Sequence, residues 1–84
     1  MYRIRILPTA ERQLHRAPLL LQRRLAARID ALAADPRGTG VTRLRGQAGY
    51  RLRVGSWRAL FVIDDQRREL TVTAIGPRKN IYRR

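Results

Sequence analysis

Apolar and polar residues alternate along several stretches of this chain and fall at helical spacing along others. "YRIRIL" (2–7) alternates around β-branched isoleucines, the pattern of a half-buried strand. Pro8-Thr9 interrupts it. Thr9 is placed to cap a short helix over roughly 9–16, with Glu11 near its positive end. Ala17-Pro18 breaks that helix and opens a second, in which Leu21, Leu25, Ile29, Leu32 and Ala33 form one apolar stripe. Arg23, Arg24 and Arg28 lie off the stripe, and Asp35-Pro36 ends the helix. "RGTGVTRLRGQAG" (37–49) is glycine-rich and basic, with room for one short strand around Val41–Leu44. Three strands follow at Tyr50–Val54, Trp57–Asp64 and Glu69–Ile75, with tight turns at Gly55-Ser56 and Asp65–Arg68. The closing "GPRKNIYRR" (76–84) predicts no element.

The order β-α-α-β-β-β-β predicts one α+β domain over residues 1–84. A mostly antiparallel β-sheet would carry a two-helix hairpin packed on one face. No repeat, linker or second domain is visible.

The hairpin at residues 49–64, "GYRLRVGSWRALFVID", carries the first functional signal. Gly55-Ser56 has the composition of a two-residue type II′ turn, which pairs Val54 with Trp57 and sets Arg53 opposite Arg58. Period two then sorts the side chains. Tyr50, Leu52, Val54, Trp57, Ala59, Phe61 and Ile63 share the core face. Arg51, Arg53 and Arg58 share the other, which continues into Leu60 and Val62. Like charges directly opposed in a sheet cost about 0.2–1 kcal/mol. Two readings fit this pattern. The face is an anion site that phosphate completes, or it is a solvated face whose opposed side chains splay apart.

Charge widens the question. Nineteen Lys and Arg against six Asp and Glu leave +13 on 84 residues, and every cation except Lys79 is arginine. Such an excess repels itself and favours polyanionic partners, nucleic acid first and an acidic protein second. Arginine suits phosphate because its planar fork bonds two oxygens at once. A GC-rich genome would explain the arginine preference but not the net charge.

Other chemistry is sparse. One histidine, His15, and no cysteine leave no zinc site, and Asp64-Asp65 reads as turn chemistry rather than a metal pair. No phosphate-cradling glycine motif is present, so no cofactor is expected. No apolar run approaches the ~18 residues of a membrane span, and no signal-peptide core follows "MYRIRIL". With no cysteine, the expectation is a cytoplasmic protein. What remains is Arg, Lys and Tyr. These suffice in principle for metal-independent RNA cleavage, where the substrate's 2′-OH is the nucleophile and the protein positions it and stabilises charge.

The residues resemble the RelE/ParE superfamily of bacterial toxins, in particular its RelE-like mRNA interferase branch. The resemblance spans nearly the whole chain and is carried by "LRG" (44–46), "YRLRVGSWRALFVID" (50–64) and "GPRKNIYRR" (76–84). It implies a ribosome-dependent endoribonuclease that cuts mRNA in the A site by 2′-OH attack on the adjacent phosphate. By position, Arg51 and Arg53 match basic residues that hold and activate that phosphate, and Arg58 matches an arginine that stabilises the transition state. Arg78 matches the residue at the leaving group, and Tyr82 matches a tyrosine that orients the nucleotide. Arg43, Arg45 and Lys79 fall where further RNA contacts are expected.

Some members carry lysine where this chain has Arg51 and Arg53, which favours electrostatic activation over a base role here. The sequence ends two residues after Tyr82, without the C-terminal helix some members carry. The implied partners are a RelB-like antitoxin with an acidic segment, the ribosome with its mRNA, and DNA only through the antitoxin complex. ParE-like relatives offer the alternative: the same fold acting on DNA gyrase without RNA cleavage. A basic nucleic-acid-binding module without catalysis would need the charge alone.

Overall fold

The computed structural model describes residues 1–78. Its elements run β1 (Arg3–Ile6), α1 (Pro8–His15), α2 (Leu19–Ala31), β2 (Val41–Arg43), β3 (Tyr50–Val54), β4 (Trp57–Asp64) and β5 (Glu69–Pro77). The strands form one sheet in the order β1-β5-β4-β3-β2. Only β1 runs parallel to its neighbour, β5; the other pairings are antiparallel. This is the expected α+β architecture.

The helices cover one face of the sheet, α1 over β5 and α2 over β3. Ala10 and Leu14 of α1, with Leu25 and Ile29 of α2 and Leu32 just beyond it, meet Leu52, Val54, Ala59, Phe61, Leu70, Val72 and Ile75. All of these are buried, and Phe61 is the largest of them. Burying a Leu, Ile or Phe contributes about 1.5–3 kcal/mol each, so this seam holds the fold. Tyr50, Trp57 and Ile63, expected in the core, lie half-buried at its margins.

Three element boundaries differ from expectation. Leu7, not Thr9, occupies the N-cap of α1, without a side-chain cap. Pro8 at the start of the helix supplies the pre-set φ instead, and Glu11 N–H donates to the Leu7 carbonyl at 2.9 Å. The α-helical part of α2 stops at Ala31, short of Asp35. Leu32, Ala33 and Ala34 then donate to carbonyls three residues back, a tighter 3₁₀-type winding that still buries Leu32. Finally, β5 runs on to Pro77, because Gly76 and Pro77 pair with Arg58 and Trp57. The register between β4 and β5 shifts between Leu60 and Phe61, whose partners are Ala74 and Val72. Thr73 is the extra residue of this bulge, and its hydroxyl donates to the Leu60 carbonyl at 3.4 Å.

Candidate functional site

The hairpin turn sets the site. Gly55 has φ +60° and Ser56 does not share a positive φ, as a type II′ turn requires. The register follows: Val54 opposes Trp57, Arg53 opposes Arg58, and Arg51 opposes Leu60. On its other side β4 sets Arg58 against Gly76. Arg58 is therefore flanked by a like charge and by a residue with no side chain.

Burial separates these arginines. Arg53 and Arg78 are exposed and Arg51 is half-buried, but Arg58 is only 4% exposed. Its Nε is buried without a hydrogen-bond partner. Neither reading of this face anticipated that burial. Alternation fixes which face a side chain takes, not how deeply its neighbours cover it. An unsatisfied buried donor costs about 1–3 kcal/mol, and more when charged. The site thus holds a donor that the described fold does not use.

Arg78 is tied to the hairpin through the backbone. Its N–H donates to the Ser56 carbonyl at 3.1 Å, tying the end of β5 to the hairpin turn. Two other expected residues stand apart. Arg45 is exposed in the loop between β2 and β3. Arg43 pairs with Tyr50 on the helix-covered side, so it does not share the face of Arg51 and Arg53. Lys79 and Tyr82 lie outside the described residues.

Two supports were invisible in sequence. Beyond Ile6, β1 no longer flanks β5, and Gln13 of α1 takes over: its Oε1 accepts the Ile75 N–H at 2.8 Å. This holds the segment that leads to Arg78. The second is a latch on the opposite corner. Arg37 donates to both carboxylate oxygens of Asp65, at 2.9 and 3.3 Å, and to the Tyr50 hydroxyl at 3.2 Å. The Tyr2 hydroxyl donates to Asp65 at 2.5 Å. Hydrogen bonds from Arg37 and then Tyr2 hold the Asp65 carboxyl below its usual range. The bond to Asp65 raises Tyr2, and bonds to Asp65 and then Tyr50 raise Arg37. Asp64 does serve as turn chemistry, accepting the Arg67 N–H at 3.1 Å. Among the described residues, no group of three His, Asp or Glu side chains gathers as a metal site.

Known proteins share this chain's sequence pattern and its α+β fold. The profile of the "ParE toxin of type II toxin-antitoxin system, parDE" family matches residues 4–82. The toxin RelG of Mycobacterium tuberculosis is 34% identical over 88 residues, covering 99% of this chain and 98% of the relative. Among solved structures, the M. tuberculosis RelBE2 toxin–antitoxin complex superposes with a TM-score of 0.81 at 25% identity, over 92% of this chain and 98% of the other. The isolated Escherichia coli RelE toxin shares the fold, with a TM-score of 0.79 at 17% identity over 98% and 92% of the two chains. The chain belongs to the RelE/ParE superfamily and is a toxin of a type II toxin–antitoxin system. No helix among the described residues is long and apolar enough to cross a membrane.

Proposed function

We propose that this toxin is a ribosome-dependent mRNA endonuclease. The observation that carries the reading is Arg58, a nearly buried cation with an unpartnered Nε, placed opposite Arg53 and close to the strand end bearing Arg78. In the proposed reaction the RNA 2′-oxygen attacks the adjacent phosphorus and gives its proton to water. The bond to the 5′-oxygen breaks, leaving a 2′,3′-cyclic phosphate, and the departing 5′-oxygen takes a proton from water to become the 5′-hydroxyl. Arg51 and Arg53 hold the phosphate and lower the cost of the attacking oxyanion. Arg58 meets the charge that builds on the non-bridging oxygens, and Arg78 steadies the leaving oxygen. Tyr82 orients the nucleotide. Arg45 and Lys79 add RNA contacts, with Arg43 reaching RNA from the other side of the sheet edge. The ribosome supplies the pose of the message.

A RelB-like antitoxin with an acidic segment neutralises this toxin in the same reading, and contact with DNA runs through that complex. Support comes from the +13 charge, which a complementary chain would relieve, and from relatives solved as toxin–antitoxin complexes. A second reading rests on the matching family profile, that of ParE toxins: inhibition of DNA gyrase without RNA cleavage. Primer extension on a defined mRNA in a cell-free translation reaction separates the two. Codon-registered cuts that fall by ~10² or more in Arg78→Ala support the nuclease. Intact mRNA with inhibited supercoiling supports the gyrase reading.

A further inference from the structure

The uncovered sheet face extends well beyond the hairpin arginines, and its far side carries one more cation of the same kind. Ile4 and Ile6 of β1 pack toward the core opposite Leu70 and Val72, so Arg5, opposite Thr71, projects on the uncovered face. Arg5 is exposed and makes no ion pair among the described residues, whereas its neighbour Arg3 pairs with Glu69 at 3.9 Å. Between Arg5 and the hairpin cluster lie Thr71, Val62, Leu60 and Ala74, joined by the β4–β5 register. Val62 is 40% exposed, an apolar surface on which the flat side of a base can rest. No acidic residue stands in this path; Asp64 and Glu69 lie at the end of the face beside Arg3.

We propose that Arg5 is a second phosphate-binding station on this face, engaging the backbone of the same single-stranded RNA several nucleotides from the phosphate held by Arg51 and Arg53. This inference rests on the nuclease reading and extends it. The spacing follows from the sheet. From β1 to β3 is three strand steps, and Arg5 stands two residues out of row with Arg51, which together give about 16 Å. At the ~3.4 Å per charge of a stacked strand, that gap spans about five nucleotides, and fewer if the strand is stretched. A strand reaching both stations crosses the Leu60–Val62 floor on the way.

Non-cleavable 2′-O-methyl oligonucleotides test this, with binding followed by fluorescence anisotropy over a salt series. The probes are a dinucleotide, too short to reach both stations, and an octanucleotide. Arg5→Gln is expected to weaken octanucleotide binding about three- to tenfold and to lower the salt slope by about 0.7, the value for one phosphate contact on a single strand. Dinucleotide binding is expected to be unchanged, and Arg5→Lys to recover most of the loss. Arg53→Gln should weaken both probes. Unchanged octanucleotide binding in Arg5→Gln, alongside a loss in Arg53→Gln, would overturn the second station and leave the nuclease reading intact; Arg5 would then only guard an edge strand. Equal weakening of both probes would also overturn it, as a diffuse charge effect. No binding of either probe by the wild-type protein would remove the station and undercut the reading beneath it.

Discussion

Arg53 and Arg58 stand directly opposite each other across one hairpin, yet one is exposed and the other is 4% exposed. Two penalties meet here: about 0.2–1 kcal/mol for the opposed like charges, and the cost of an unpartnered buried Nε. Neither arginine belongs to the apolar core cluster. Its contacts run through Leu52, Val54, Ala59 and Phe61 on the other face of the same strands. A cost kept without structural return is expected where a polar group serves a ligand.

The turn that produces this opposition makes the first prediction. Gly55 holds φ +60°, and a Cβ there would meet only Leu21 Cδ1 at an ordinary 3.6 Å. Gly55→Ala therefore pays for backbone strain alone, about 1–2 kcal/mol. Denaturant unfolding checks this, and a loss under 0.5 kcal/mol would count against the type II′ assignment.

Gln13 makes the second. Gln13→Leu keeps the volume but leaves the Ile75 N–H without its acceptor, at a cost of about 1–3 kcal/mol. Hydrogen exchange at Ile75 should speed up selectively, while Leu70 and Val72, in the part of β5 flanked by β1, remain protected. Uniform acceleration along β5 would mean that Gln13 supports the whole sheet rather than this one segment.

The hairpin was legible because its information is local. A two-residue turn and period-two alternation fix the bounds of β3 and β4 and the Arg53–Arg58 pairing without reference to the rest of the chain. Burial of Arg58 was not legible, because alternation assigns its face but not how deeply the folded chain covers it, and β5 comes alongside Arg58 only beyond a bulge at Thr73 that no pattern announces. The Gln13–Ile75 bond joins residues 62 apart, and the Arg37–Asp65 pair residues 28 apart. Polar partnerships across such distances leave no periodic trace. Arg43 shows the same limit from the other side: its charge was plain, but the face it takes is set by pairing with Tyr50.

The Arg37–Asp65–Tyr2 latch makes the third prediction, in pH. Asp65 titrates lower in the folded chain than in the unfolded one. Its contribution is therefore present above about pH 4 and fades as pH falls through the lowered folded value. Tyr2 acts in the opposite range. Its raised folded value means that stability declines as pH climbs past about 10, where the unfolded phenol ionises first. Urea midpoints across pH for wild type and Asp65→Asn should differ at neutral pH and converge in acid. Parallel acid limbs in the two proteins would show that Asp65 does not carry the effect.

The most direct test of the central claim is one variant read two ways. Arg58→Met keeps an unbranched side chain in the sheet while removing the charge and the unpartnered Nε. If Arg58 serves the scissile phosphate, the melting temperature stays level or rises, because a buried donor without a partner has been replaced by an apolar group. Ribosome-dependent mRNA cleavage by the same preparation falls by ~10² or more. A melting temperature that drops while cleavage persists would contradict the account and make Arg58 a structural residue.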